Sequence, residues 1–181
     1  MPGARVASGE RVTLRTVEQE DVPFVQRAGA NPDVRYPLGN PVMTRDDYQG
    51  HAGDDADRFL ICLDEDDAGP GSPDEDEVRR IGAAAVEDAD WKRPEVGYWL
   101  VPEEHGQGYG KEAVSLVVDY VFRSYDAPAI GAAAYAFNDA SRGLLESLGF
   151  SEEGRRRKYM FVDGEHRTMV LYGLLREEWD R

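Results

Sequence analysis

Cysteine occurs once in the 181 residues, at Cys62, so an intrachain disulfide is excluded. It sits in the apolar stretch Phe59-Leu60-Ile61-Cys62-Leu63, the setting of a buried strand residue in a reducing compartment. A nucleophilic role is disfavoured, because no histidine stands near it in sequence. The three histidines, His51, His105 and His166, are too scattered to hold a metal, and no metal is expected. No apolar run approaches the roughly 20 residues of a membrane span, and Met1 to Glu10 lacks the apolar core of a signal peptide. The expectation is a cytoplasmic protein without a membrane partner.

Positive charge is also scarce. Acidic side chains number 36 against 21 basic ones, for a net charge of −15. Nucleic acids and anionic membranes are polyanions, so this balance argues against both as partners. Only three of the bases are lysine: Lys92, Lys111 and Lys158. An acid-rich, lysine-poor surface reads as halophilic adaptation to a salty cytoplasm, where molar salt shortens the Debye length to about 3 Å. An ordinary acidic bacterial protein is the alternative. Against these shortages stand 41% apolar and 10% aromatic residues, enough for a globular fold. The length suits a single domain over residues 1–181.

Periodicity supplies the elements. Val12-Thr13-Leu14 alternates as a first strand, and Thr16 caps a helix over about 17–29 with Glu18, Glu20 and Asp21 in its first turn. Asn31-Pro32 and Tyr36-Pro37 punctuate a loop, and Thr44 opens a second short helix. Strands follow at Arg58 to Leu63, Val78 to Asp88 and Glu95 to Val101. Between the first two of these, residues 64–77 form an acidic, flexible loop. Val114, Val117, Val118 and Val121 mark the apolar stripe of a helix running from Tyr109 to near Ser124. Ala129 to Phe137 suits a buried strand. Asp139 to Leu148 forms a helix with Leu144, Leu145 and Leu148 inward, stopped by Gly149. Arg157 to Val162 and Thr168 to Leu175 are a hairpin joined at Asp163-Gly164. The fold class is α/β: a mixed sheet of about seven strands flanked by about four helices.

The segment Glu95-Val96-Gly97-Tyr98-Trp99-Leu100-Val101-Pro102-Glu103-Glu104-His105-Gly106-Gln107-Gly108-Tyr109-Gly110-Lys111 carries the chemistry. It joins a strand to a helix through glycines at alternate positions, which allow positive φ and close approach to a ligand. Free N–H groups of such a loop and of the helix start make an anion site suited to a pyrophosphate. A Walker loop would need a Gly-Lys-Ser/Thr ending, and a dinucleotide loop would need glycine where Lys111 stands, so both nucleotide readings fail on spacing. On the glycines alone, a tight turn without a ligand remains an alternative.

His105 to Gly110 resembles the Arg/Gln-x-x-Gly-x-Gly/Ala acetyl-CoA signature of the GNAT superfamily. Gly97-Tyr98-Trp99-Leu100-Val101-Pro102 resembles its cofactor-flanking strand. Asn138-Asp139-Ala140-Ser141, Leu148-Gly149-Phe150 and Glu153-Gly154 resemble its second block. The closing Val170 to Leu174 and Glu178-Trp179 resemble the branch of ribosomal-protein N-terminal (alanine) acetyltransferases. The resemblance covers nearly the whole chain, most specifically residues 95 to 179. His105 replaces the usual Arg or Gln, and Thr168 stands where this branch often has an acidic residue.

The resemblance implies a GNAT-like acyl-CoA N-acyltransferase fold with acetyl-CoA as co-substrate. Main-chain N–H groups of Gly106, Gln107, Gly108, Tyr109, Gly110 and Lys111, beside His105, would hold the pyrophosphate. Leu100 and Val101 would pair with the pantetheine arm, and the amide of Leu100 would polarise the thioester. Asn138 would bond the pantetheine and Ser141 would meet the departing thiolate; both also suit helix capping. An amine must lose a proton before it attacks, and Glu95 is the candidate base, with His166 as a second. Lys111, Arg142 and Arg155 to Lys158 are the concentrated positive charge available to a ribose phosphate. The acceptor expected first is the α-amino group of a protein or peptide, then a small-molecule amine. A CoA-binding module without catalysis is the rival class, and a homodimer is allowed.

Overall fold

The valine stripe expected after Tyr109 sets the core. In the computed structural model, which describes residues 3–50, 56–64, 78–89 and 92–179, Val114, Val117, Val118 and Val121 are fully buried. They pack on Val12, Leu14, Ile61, Ile81, Val86, Val96 and Ile130 in one continuous cluster. Burying one such side chain contributes roughly 1.5–3 kcal/mol, so the stripe pins its helix firmly to the sheet.

In chain order the elements are β1 (Arg5–Ser8), β2 (Thr13–Thr16), α1 (Val22–Ala30), α2 (Pro32–Leu38), α3 (Arg45–Gly50), β3 (Asp57–Asp64) and β4 (Val78–Glu87). They continue with β5 (Glu95–Leu100), α4 (Tyr109–Ser124), β6 (Ala129–Tyr135), α5 (Asp139–Ser147), β7 (Ser151–Val162) and β8 (Glu165–Leu175). The strands form one sheet in the order β1-β2-β3-β4-β5-β6-β8-β7. All neighbours are antiparallel except β5 and β6. The helix α4 packs on one face with α5 beside it. On the other face α1 brings Phe24 to 5.9 Å from the Trp99 ring of β5, and α2 lies against β5 and β6.

Eight strands stand where about seven were expected, and five α-helices where about four were. The extra strand is β1, a four-residue edge strand too short and too exposed to show a period. The extra helix is α2, hidden by its prolines. Pro32 sits in the first turn, where its missing N–H costs nothing, behind Asn31 accepting from Asp33 N at 3.0 Å. Pro37 falls near the end, just before Gly39 closes the helix at φ 70°. The first helix starts at Val22, later than expected, because Asp21 is not a solvent-facing cap. Asp21 is buried and bonds Arg80 Nε at 2.6 Å and Glu18 N at 2.9 Å. The strand β7 begins at Ser151, before the expected Arg157, because its exposed edge has no period-2 pattern. The Asp163-Gly164 turn stands as expected, with both residues at positive φ. Of the acidic loop only Asp64 lies within the described residues, where it binds Arg15 and Thr13; the remainder and His51 lie outside them.

Cys62 sits fully buried in β3. Burial, with Asp64 nearby, pushes its thiol up to about 12, so it stays protonated and is no nucleophile. Among the described residues no helix is long and apolar enough to cross a membrane.

The parallel pair β5 and β6 is where the sheet opens. Register partners exist only at Glu95 with Gly131 and Val96 with Ala132. On its other side β5 stays paired with β4 to Leu100, and Val101 N donates to Ile81 O at 2.9 Å. In an antiparallel ladder hydrogen-bonded and non-hydrogen-bonded pairs alternate. Since Val101 is bonded to β4, the main-chain groups of Tyr98 and Leu100 turn toward the opened seam.

Candidate active site

The loop beyond β5 is clamped at three points. The carboxylate of Glu104, buried in the turn Pro102–Glu104, pairs with Arg79 of β4 and accepts from Gln107 Nε2 at 3.3 Å. The His105 ring donates from Nε2 to Leu100 O at 3.0 Å. Arg11, between β1 and β2, donates from Nη1 to Gln107 O at 3.1 Å. Held this way, Gly106 and Gly108 take φ 76° and 85°, a region other residues reach only with strain.

At the start of α4, Glu112 N donates to Gly108 O at 3.2 Å, and Gly108 supplies no side-chain cap. The N–H groups of Tyr109, Gly110 and Lys111 therefore lack an acceptor within the helix, as any helix start dictates. They point outward together at the positive end of the helix dipole, which is an anion site. Gly110 has a packing role as well. A Cβ there would stand 3.0 Å from Leu144 Cδ1 and 3.6 Å from Leu100 Cδ1, so glycine lets α4 close on α5 and β5.

Sequence reasoning missed Arg11, which lies 96 residues from Gln107 in the chain. Its guanidinium rests 4.9 Å from the centre of the Tyr109 ring, and half of its side chain is exposed. Glu112 fixes this corner by accepting from Arg11 N at 2.7 Å and Val12 N at 3.0 Å. Burial opposes ionisation of Glu112, yet the amides of Arg11, Val12 and Glu10 outweigh it and hold the carboxyl below its usual range.

Across the seam, Asn138 caps α5, its Oδ1 accepting from Ser141 N at 3.1 Å. That bond turns Ser141 toward β5, where its Oγ meets Tyr98 Oη at 2.8 Å. Tyr98 is the second residue that sequence reasoning missed, although its place between Val96 and Leu100 on the helix-covered face was a signal. Burial pushes its hydroxyl up to about 12, against the hydrogen bond with Ser141, so it remains protonated.

Other expected residues divide. Glu95 opens β5, between Glu87 and Gly131, at the closed end of the seam. By alternation it shares a face with Trp99, opposite Tyr98 and Ser141. Val101 has its amide committed to Ile81 and its carbonyl accepting from Glu104 N, so neither serves as a free group for a ligand. Leu100 gives its carbonyl to His105, which leaves its amide facing the seam. His166 lies exposed against Phe161, with ring centroids 5.1 Å apart. Arg142 is tied to Tyr172 Oη and Ala136 O, and Arg155 to Glu152. Lys111 is exposed beside the loop. No cluster of metal ligands exists among the described residues.

Comparison with known proteins places this geometry in a family. Residues 11–151 match the model of the acetyltransferase (GNAT) domain. The putative ribosomal N-acetyltransferase YdaF of Bacillus subtilis is 34% identical over 89 residues, 49% of either chain, so that match spans about half the length of the relative. The N-acetyltransferase p20 of Bacillus licheniformis is 31% identical over 94% of this chain and 96% of its own. In fold, the chain superposes on the spermidine N-acetyltransferase of Vibrio cholerae, solved with CoA and spermine, at a TM-score of 0.80. That match covers 94% of this chain and 99% of the other at 21% identity. The domain match, the full-length relative and the opened β5–β6 seam agree: the chain belongs to the GNAT acetyltransferase family.

Proposed function

We propose that this GNAT acetyltransferase transfers the acetyl group of acetyl-CoA directly to a primary amine, the α-amino group of a protein or peptide. The observation that supports this reading most is the opened seam, with free amides beside it and the Ser141–Tyr98 hydroxyl pair across it.

The amides from Gly106 to Lys111 receive the pyrophosphate, with Arg11 and Lys111 supplying the nearest positive charge. The pantetheine arm runs along the seam against the main chain of Tyr98 and Leu100. A strand rises about 3.3 Å per residue, so Glu95 lies about 10 Å from Tyr98 and about 17 Å from Leu100 along β5. A base must reach its proton directly or through one water. The Tyr98 amide, nearer to Glu95, is therefore a better thioester donor than the Leu100 amide. Such a donor is worth roughly 3–4 kcal/mol where the oxyanion forms.

In this scheme Glu95 takes a proton from the amine through water. The nitrogen lone pair forms the new C–N bond, and the C–S bond of the resulting tetrahedral intermediate breaks. Ser141 and Tyr98 hydrogen-bond the departing thiolate. A tyrosine near 12 does not give its proton to a thiolate of pKa near 8.5, so the pair stabilises charge while solvent supplies the proton. The acid-rich, lysine-poor surface supports a salt-loaded cytoplasm as the place of action.

Calorimetric titration with acetyl-CoA, CoA and ATP, at low salt and in molar KCl, tests the cofactor site. Saturable acetyl-CoA binding is expected, lost in Gly108→Val because that residue cannot hold φ 85° without strain. Absence of binding at both salts by folded protein would sink the reading. Binding without transfer to any amine would leave a CoA-binding module.

A further inference from the structure

The arginines of this chain are almost all accounted for. In an acidic protein each finds a carboxylate or carbonyl easily, as Arg15, Arg79, Arg80, Arg93 and Arg176 do. Arg35 is the exception. Among the described residues it is the one arginine outside the exposed class whose guanidinium has no hydrogen-bond or ion-pair partner, and its Nε is buried. Its recorded side-chain contact is a stack on the Tyr36 ring, 4.5 Å from the centroid. Stacking holds the plane of a guanidinium and leaves its N–H edge open.

Its place gives this edge a purpose. The helix α2 packs against both β5 and β6, on the face opposite α4, and so lies over the line where those strands part. Gly39, one turn beyond Arg35, abuts the Tyr135 ring at the end of β6; a Cβ there would fall 2.2 Å from Tyr135 Oη. Arg35 therefore stands by the seam on the face that carries Glu95, away from the face of the cofactor helix.

We propose that Arg35 is the acceptor-binding residue of this transferase, and that it selects an amine with a carbonyl or carboxylate oxygen beside it. This rests on the acetyltransferase reading above. The first carbonyl of a peptide N-terminus meets the requirement, and so does the carboxylate of a free amino acid. A planar fork of N–H donors suits such an oxygen. A polyamine offers only further cations, which an unneutralised guanidinium repels. Sequence could not single Arg35 out, because its property is the absence of a partner in three dimensions.

The test uses the full chain with CoA bound, titrated by calorimetry with an alanine-leading tripeptide amide, free alanine and spermidine. The peptide amide or the amino acid should bind in preference to spermidine, and the better of the two identifies the source of the oxygen. Arg35→Gln should weaken that binding by about 10- to 100-fold, the range for a lost charge-assisted hydrogen bond. It should leave acetyl-CoA affinity unchanged, and the Tm should hold or rise because no contact within the protein is lost. Arg35→Lys, which keeps the charge but not the fork, should recover part of the binding. Preference for spermidine, or unchanged peptide and amino-acid affinity in Arg35→Gln, would overturn the assignment. Failure of acetyl-CoA to bind would instead overturn the acetyltransferase reading, and it shows before any acceptor is added.

Discussion

The two faces of the β5–β6 seam recognise their ligands by different means. On the donor face the groups aimed at a ligand belong to the main chain, at the start of α4 and along the edge of β5. On the acceptor face α1, α2 and the start of β5 present side chains: Phe24, Arg35, Glu95 and Trp99. A main-chain site needs glycine at fixed positions, and it leaves a mark in the sequence. A side-chain site needs only that particular residues meet, and many sequences allow that. One family can therefore keep a single cofactor loop while its acceptors diverge.

Four substitutions or conditions would sharpen or break this contrast. The largest effect belongs to the acceptor face. Glu95→Gln should lower kcat by about 100- to 10,000-fold, the usual worth of a general base, with the KM for acetyl-CoA unchanged. Full activity in that variant, measured over a pH series, would move the base elsewhere. Next comes Tyr98→Phe, on the donor face. Removing one donor to the thiolate should cost about 10-fold in kcat, and calorimetry should show acetyl-CoA still bound.

Arg11→Ala comes third. An exposed cation beside a phosphate is screened by salt, so acetyl-CoA affinity should fall by only about 3- to 10-fold at low salt, and less in molar KCl. An equal loss at both salts would make Arg11 a structural clamp on Gln107 instead. The smallest effect is on stability in alkali. The folded-state value of Tyr98 is raised from 10.0 to about 12, so its contribution is fully present below pH 10 and is lost as pH rises toward 12. Chemical denaturation across that window should show stability falling with pH, and the fall should be shallower in Tyr98→Phe.

Much of the architecture was legible. The valine stripe of α4, the leucines of α5 and the Asp163-Gly164 turn announced themselves by period or by turn chemistry, which neighbouring residues decide among themselves. The misses share a cause. Prolines that usually break a helix sit at the two ends of α2, where they are tolerated. The edge strands β1 and β7 are largely exposed and so carry no alternation to read. Within the candidate site, Gly106 to Lys111 and the Asn138–Ser141 pair could be named from local spacing. Arg11 and the partner of Ser141 could not, because the contacts that matter join residues 96 and 43 positions apart.

By itself the sequence determined a strand, a glycine loop and a helix start able to hold a pyrophosphate, because φ freedom and unpaired amides are local properties of the chain. Only the tertiary structure decided where β5 leaves β6, which hydroxyl faces Ser141, and that Arg35 would be left without a partner. Those follow from which surfaces pack together, and packing is settled by the whole core at once.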